Sequence, residues 1–345
     1  MADLNILDTN YEHDDSTIHS KTFVSDVRNI SDLTRIQNPG VPITKFSYED
    51  FNYDDLLDLK NKKGLKIGVG IPIKNEEDTL GDVLDSLQEH KQNGLIDSYA
   101  VFDSSSTDSS KLIALNRGID FIVDSDVADN LGLKKGIDWK SGKGFNLWNS
   151  LDYFKGYDLV TWVDADIDLA PRYLYGILGP LITDDEMVFS KGTYKRDMGD
   201  SRVSAYTVDP VLGLLFPEAG YLSDPLCGFF GGRTEFLKNI PFSTGYSVEV
   251  VTTIHALMSD KNDKISQVNL GELRNREHND KYLSAMGATI TSAIFDLAVK
   301  YGKIKHGKDT SEVIIQRDCS SDSMTNEVLT NFKDIMLNPI SHYSS

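Results

Sequence analysis

The middle of the chain alternates short apolar runs with segments whose apolar residues recur at helical spacing. The first helical segment is marked by Leu80, Val83, Leu84 and Leu87. The apolar runs are too short for helices and predict buried strands at residues 65–73, 98–102, 121–123, 159–163 and 265–270. This β-α-β-α-β alternation predicts a mostly parallel sheet with right-handed crossovers and helices on its faces.

The second half of the chain continues the helical pattern. Pro171 suits a first helical turn and opens a predicted helix that ends at about Ile182. Further helices are predicted from the Gly245 region to about Met258, and from about Asp280 to about Tyr301. Residues 187–196 predict an edge strand with basic residues near its end. Residues 124–141 form a long irregular stretch, which in a compact domain is often a functional lid.

These elements suggest a division of the chain into four parts. Residues 1–60 are polar and acidic and predict an arm or short helices. Residues 61–170 are predicted to form an α/β half and 171–305 a second half of the same domain, with the ligand-binding strand ends in the first. Residues 306–345 are predicted to be a polar C-terminal tail.

Composition narrows the class of protein. The chain has 345 residues, 40% of them hydrophobic, and a formal net charge of -18, which argues against binding to nucleic acid. Cys227 and Cys319 have neither zinc spacing nor a disulfide framework, which favours a reducing cytoplasm. The N-terminus has no signal-peptide pattern, and no apolar run reaches the roughly 18 residues that a membrane span needs.

Two carboxylates follow the strand at 159–163 directly. Asp164 and Asp166 therefore lie at the carboxyl end of a strand, where open α/β sheets place their ligands. Carboxylate oxygens there suit Mg²⁺ or Mn²⁺ bridging substrate phosphates. Taken alone, the same pattern also describes a strand that ends in solvated aspartates.

Other polar and charged residues are candidates for ligand contact. Lys143 stands between two glycines at a predicted helix start, where a phosphate can approach closely, although a solvated lysine explains the pattern equally well. Glu76 either complements a helix dipole or contacts a nucleotide. Glu249 lies in an apolar segment and should have a partner. His278 follows a strand in a polar loop, a setting that suits metal ligation as well as a structural role.

The joint order of these motifs resembles the GT-A glycosyltransferases, and among them the retaining glucosyl-3-phosphoglycerate synthases. The resemblance covers roughly residues 65–290, and its GT-A fold is α/β and Rossmann-like, with a C-terminal acceptor-binding half. Its motifs are Ile71-Pro72 with Asn75-Glu76-Glu77, Asp103-Ser104-Ser-Ser-Thr-Asp108, Ser141-Gly142-Lys143-Gly144, Asp164-Ala165-Asp166, Gly245-Tyr246-Ser-Val-Glu249 and Arg276-Glu-His278. The chain departs from the family at Ala165, where the family usually has Ser, and in the loop before Arg202.

The resemblance implies a role for each matching position. Asp166 and His278 would hold the metal, and Glu249, Asp166 and Lys143 would be catalytic. The donor-binding residues would be Pro72, Ile73, Glu76, Ser104, Lys143, Asp164 and Ala165. The acceptor-binding residues would be Ser201, Arg202, Ser204 and Asn279.

The function that the resemblance implies is metal-dependent transfer of glucose from UDP-glucose or GDP-glucose to 3-phosphoglycerate. It would serve synthesis of glucosylglycerate, a compatible solute, in a cytoplasmic homodimer. Mannose as the donor sugar, or glycerate or a polyprenyl phosphate as the acceptor, are the alternatives within the same fold. From other classes, a nucleotidyltransferase and an inert nucleotide-sugar-binding module also stay open.

Overall fold

The computed structural model describes residues 43–167, 171–195, 203–272, 280–304 and 335–342. Its strands are β1 (Thr44–Ser47), β2 (Ile67–Ile73), β3 (Ser98–Asp103), β4 (Phe121–Val123), β5 (Leu159–Trp162), β6 (Phe189–Lys195), β7 (Phe230–Arg233), β8 (Phe242–Ser243), β9 (Ile265–Glu272) and β10 (Met336–Leu337). The main sheet has the order β1-β9-β6-β7-β5-β2-β3-β4. In it β7 is antiparallel to β5 and β6, and the other pairings are parallel, which confirms the predicted mostly parallel α/β fold.

Helices cover both faces of the sheet. They are α1 (Tyr53–Lys63), α2 (Leu80–Gln92), α3 (Ser110–Asn116), α4 (Asp124–Asn130), α5 (Lys143–Tyr153), α6 (Pro171–Thr183), α7 (Asp209–Leu215), α8 (Thr234–Leu237), α9 (Val248–Leu257) and α10 (Asp280–Lys300). Apolar side chains of α2 and α6 are buried against one face, and those of α5, α9 and α10 against the other. A strand between two such layers is apolar on both sides, which explains the continuous apolar runs in the sequence.

Glycines in β2 allow α5 to pack closely on the sheet. A Cβ atom at Gly68 would lie 2.5 Å from the ring of Phe154, which follows α5 directly. Trp148 of α5 is also fully buried, and an apolar side chain of this kind contributes about 1.5–3 kcal/mol when it leaves water. The tight packing fixes where α5 begins, and its first residue is Lys143.

The prediction of an edge strand at 187–196 was wrong. β6 lies inside the sheet, paired with β9 on one side and β7 on the other. Its basic residues suggested solvent, but Lys191 is fully buried. The irregular stretch at 124–141 was also only partly right, because it begins with α4.

Two short elements had no clear signal in the sequence. β1 pairs in parallel with β9 at one edge of the sheet, inside the region predicted to be an arm or short helices. β10 pairs with β8, so that residues 335–342 return to the protein core, where Leu337 and Ile340 are buried. The four-part division of the chain stays a prediction.

Helix α10 contains a window, Leu283–Lys300, that is long and apolar enough to cross a membrane by length and composition. The sequence analysis found no run of this kind. Core helices of soluble proteins pass the same test, and Ile290, Ile294 and Leu297 of α10 are buried in the protein core. The absence of a membrane span stays a prediction.

Candidate active site

An ion-pair cluster joins three of the predicted site residues. The Nζ atom of Lys143 lies 2.6 Å from Oδ1 of Asp164 and 2.7 Å from Oε1 of Glu249. Lys143 is the first residue of α5, Asp164 follows β5, and Glu249 lies in the first turn of α9. The side chain of Glu249 is only 7% exposed, so the partner expected for this buried carboxylate is Lys143.

The cluster keeps Lys143 positively charged. Burial of the ammonium by itself lowers its pKa, but the charges of Asp164 and Glu249 outweigh that effect, and the pKa is raised well above its ordinary value. One cation therefore faces two carboxylates. A phosphate group could compete with a carboxylate as the partner of Lys143, and the predicted donor-binding role of Lys143 would need such an exchange.

The glycines beside Lys143 have a packing role that sequence reasoning missed. A Cβ atom at Gly144 would lie 1.8 Å from the carbonyl oxygen of Ser243, and one at Gly142 would lie 2.7 Å from that of Thr244. The amide of Phe145 also donates to the Thr244 carbonyl at 3.0 Å. The start of α5 is therefore fixed against the end of β8, which places Lys143.

A buried hydrogen-bond chain connects the ends of β2 and β3 to α5. The amide of Ser104 donates to the carbonyl of Ile73 at 3.0 Å. Asn146, one turn into α5, donates from Nδ2 to Oγ of Ser104 at 2.9 Å and to the carbonyl of Phe102 at 2.8 Å. These bonds hold three predicted donor elements in one arrangement. Asn146 was not among the predicted site residues, because an asparagine inside a helix carries no motif.

The turns after β2 and β3 also bind each other. Asn75, in the left-handed region at φ 57°, accepts from the Thr107 amide at 2.8 Å and donates its own amide to Ser106 Oγ at 2.8 Å. Oε2 of Glu77 accepts from the amide of Ser109 at 2.9 Å. Glu77 therefore links the two turns and has a structural role. Its neighbour Glu76 is half-buried.

Asp124 ties the segment before Lys143 to the β3 turn. It is fully buried and accepts hydrogen bonds from the hydroxyls of Ser105, at 3.1 Å, and Ser141. Nearby, burial raises the pKa of Asp103, although hydrogen bonds from Ser106 oppose the shift. The Ser141-Gly142-Lys143 segment is therefore held on one side by Asp124 and on the other by the contacts of α5 with residues 243 and 244.

The structure places most of the predicted donor residues at one end of the sheet. Pro72 and Ile73 end β2, Ser104 follows β3, and Asp164, Ala165 and Asp166 follow β5. Ser204 is buried at the start of a π-helical turn, Ser204–Val208. Ser201, Arg202, His278 and Asn279 lie outside the described residues. All of the individual roles stay predictions.

The segment from Asp224 to Gly228 lies directly on the ion-pair cluster. A Cβ atom at Gly228 would be 2.3 Å from Oδ2 of Asp164 and 3.2 Å from Nζ of Lys143. The Gly-rich composition of this region predicted a close backbone approach, and the approach is to these two side chains. Sequence reasoning did not place the segment in the site.

The residues at the end of β5 fit a divalent metal that shares its ligands with a substrate. Asp166 is half-buried and supplies carboxylate oxygen, which Mg²⁺ and Mn²⁺ prefer. Among the residues that the structure describes, no group of three or more His, Cys, Asp or Glu side chains could hold a metal by itself. The predicted site also includes His278, which lies outside the described residues, and its role as a ligand stays a prediction.

Comparison with known proteins agrees with this geometry. No protein-family model matches the chain. A protein of Petrotoga mobilis named glucosyl-3-phosphoglycerate synthase is 32% identical over 281 residues, which are 77% of this chain and 84% of that protein. The chain belongs to the glucosyl-3-phosphoglycerate synthase family. This membership confirms the resemblance inferred from the motifs. The chain is therefore a member of a glycosyltransferase family.

Solved structures extend the comparison with the synthase family. The glucosyl-3-phosphoglycerate synthase of Mycobacterium tuberculosis, in complex with Mn²⁺, UDP-glucose and phosphoglyceric acid, matches with a TM-score of 0.71 and 26% identity, over 88% of this chain and all of that one. The mannosyl-3-phosphoglycerate synthase of Rubrobacter xylanophilus matches with a TM-score of 0.70 and 30% identity, over 76% of this chain and 84% of that one. Both confirm the predicted fold.

Proposed function

We propose that the protein transfers glucose from UDP-glucose to 3-phosphoglycerate in a reaction that needs Mg²⁺ or Mn²⁺. The observation that carries this proposal is the cluster of Lys143, Asp164 and Glu249 at the ligand-binding end of the sheet. The family membership of the chain supports it, as do the ligands bound by the Mycobacterium tuberculosis relative.

In this proposal the cluster residues divide between the two ends of the bond that breaks. Lys143 turns from its carboxylates to the diphosphate of the donor, where its charge stabilises the leaving group. Glu249, released from part of its ion pair, faces the sugar and steadies positive charge at the anomeric carbon. Asp166 and His278 would hold the metal, which when bound stabilises negative charge on the leaving diphosphate.

A second candidate is mannose transfer to the same acceptor. The structure of the Rubrobacter xylanophilus mannosyl-3-phosphoglycerate synthase matches the chain with nearly the same TM-score as the glucosyl enzyme, over a smaller share of both chains. In either reaction the cluster residues would meet the diphosphate and the anomeric carbon, which UDP- or GDP-linked glucose and mannose have in common. A homodimer, a cytoplasmic location and use of GDP-glucose stay predictions.

Purified protein with 3-phosphoglycerate and a panel of UDP- and GDP-linked glucose and mannose tests the proposal. We expect released UDP and a glucosylated acceptor only with UDP-glucose, and loss of both products in excess chelator.

Asp166→Asn should lower turnover by about 100-fold, because one metal ligand is lost. The control Asp55→Asn changes an exposed carboxylate on α1 and should match the wild type. Transfer that continues unchanged in chelator would contradict the proposed metal dependence.

A further inference from the structure

Lys191, inside the sheet, is a second lysine near the cluster. It is fully buried in β6, where its neighbours across the two adjacent strands are Phe230 of β7 and Gln267 of β9. In the part of the chain that the structure describes, no carboxylate lies within ion-pair distance of its ammonium. Burying a charge without such a partner is costly, so this side chain calls for an explanation.

The ammonium of Lys191 binds the segment that covers the cluster. Its Nζ atom donates to the carbonyl oxygen of Cys227 at 2.9 Å and lies 5.5 Å from the centre of the Phe230 ring. The next residue, Gly228, is the one whose backbone lies against Asp164 and Lys143. One peptide unit therefore separates the Lys191 contact from the cluster.

The covering segment is a tight turn under backbone strain. The amide of Cys227 donates to the carbonyl of Asp224 at 3.0 Å, which closes the turn. Asp224 has a φ of 46°, in the left-handed region that L-residues other than glycine rarely occupy. Strained turns persist only where the surroundings hold them. The contacts that hold this turn and its flanks include the Lys191 ammonium, the bond from the Gly192 amide to the Phe229 carbonyl at 2.8 Å, and the bond from Gln267 Nε2 to the Ser223 carbonyl at 2.6 Å.

We propose that Lys191 is a positioning residue that holds the Asp224–Gly228 turn against the Lys143–Asp164–Glu249 cluster. Because the Gly228 backbone lies against Asp164 and Lys143, a shift of the turn would displace these two side chains and change the geometry of the proposed reaction. This inference rests on the proposed transferase function. A methionine of similar length would fill the same space without a buried charge, so packing alone does not require lysine here.

Lys191→Met tests the proposal, with Lys60→Met as the matched control. Lys60 is also buried, but it pairs with Asp97 at 3.0 Å, before the amino end of β3 and at the opposite end of the sheet. We expect Lys191→Met to lower kcat for transfer by about ten-fold, while calorimetry shows UDP affinity within about two-fold of the wild type. Lys60→Met should change neither value.

A second measurement is independent of transferase activity. Cys227 is fully buried, and its thiol should react with iodoacetamide only when the turn opens. Peptide mapping by mass spectrometry distinguishes its labelling from that of Cys319. We expect Cys227 in folded Lys191→Met to be labelled about ten-fold faster than in the wild type or Lys60→Met.

The outcomes separate the two proposals. Wild-type labelling of Cys227 in Lys191→Met, or wild-type kcat in that variant, would overturn the role of Lys191. A kcat loss that only matches a loss of UDP-binding sites would also overturn it, because it would reflect unfolded protein. A wild-type chain without transfer to 3-phosphoglycerate would contradict the proposed function, and faster labelling of Cys227 would still support the hold on the turn.

Discussion

Lys143, whose side chain is 19% exposed, and the fully buried Lys191 are both near Glu249, but their surroundings differ. Lys143 contacts two carboxylates, and its pKa is raised well above the ordinary value. Lys191 contacts a backbone carbonyl and an aromatic ring, and burial lowers its pKa despite nearby negative groups. The first environment offers a charge that can exchange partners, whereas the second fixes a backbone segment.

This difference separates ligand binding from support of the site. Asp164 and Glu249 hold Lys143 in place until a phosphate competes for it, so the cluster is expected to rearrange when a donor binds. No ligand competes with the Cys227 carbonyl for the Lys191 ammonium, because Lys191 is fully buried and reaches no substrate. Substitutions at the two positions should therefore change different measurements.

Lys143→Met should have the largest effect. It removes the cation expected to meet the diphosphate, and kcat/KM should fall by about 100- to 1000-fold. It also leaves two carboxylates without their partner, at a cost of about 3–5 kcal/mol of unfolding free energy. Steady-state kinetics and denaturant unfolding measure the two losses.

Two further variants serve as controls for Lys143→Met. Lys155→Met changes a lysine that is 64% exposed, just beyond the end of α5, and should behave as the wild type. Adding Glu249→Gln to Lys143→Met should recover part of the stability but none of the activity, because the glutamine is neutral. Wild-type stability of the single variant Lys143→Met would show that the ion pairs of Lys143 with Asp164 and Glu249 do not stabilise the fold as the structure indicates.

Gly228→Ala should have an intermediate effect and tests the contact between the two regions. Its Cβ atom would lie 2.3 Å from Oδ2 of Asp164, so the turn or the carboxylate must move. We expect kcat/KM to fall by about ten-fold, with a smaller change in stability. Gly156→Ala is the matched control, because no atom lies within 4 Å of its added Cβ. Equal kinetics in the two alanine variants would exclude the turn from the site.

The strands and helices of the sheet were largely predictable from the sequence. Apolar runs and helical spacing locate β2, β3 and β5, because these strands are buried on both faces. β6 was misjudged as an edge strand because a lysine inside a sheet is unusual, and the Cys227 carbonyl that receives Lys191 is 36 residues away. β8 and β10 are too short to carry a periodic pattern.

Three cluster residues were identified from three separate sequence features: a strand end for Asp164, flanking glycines for Lys143, and a carboxylate in an apolar segment for Glu249. Asp164, Lys143 and Glu249 were each identified, but their mutual ion pairs depend on how α5 and α9 pack, which periodicity does not reveal. Gly142 and Gly144 were interpreted as giving a phosphate room. In the structure they give room to the carbonyls of residues 243 and 244. A glycine in a sequence shows that space is needed without showing what fills it.

The smallest expected effect is the pH dependence of stability, in which the two lysines should behave oppositely. In the fold the pKa of Lys191 lies below its ordinary value of 10.5, so between these two values the unfolded chain binds more protons. Stability then rises with pH, by at most about 1.4 kcal/mol per pH unit. For Lys143, with its raised pKa, the folded chain binds more protons above pH 10.5, and stability falls there.

Denaturant unfolding of the wild type and Lys191→Met, at several pH values from 7 to about 10.5, measures the Lys191 contribution as a difference. The groups facing Lys191 electrostatically are Cys227, Glu249, Asp224 and Lys143. The wild type should gain stability relative to Lys191→Met as the pH rises.

The difference in unfolding free energy between the wild type and Lys143→Met should stay level up to pH 10.5, because Lys143 is protonated in the folded and the unfolded state below that pH. A Lys191 difference that is flat over the whole range would mean that its ammonium is buried at no cost, and the contrast between the two lysines would disappear.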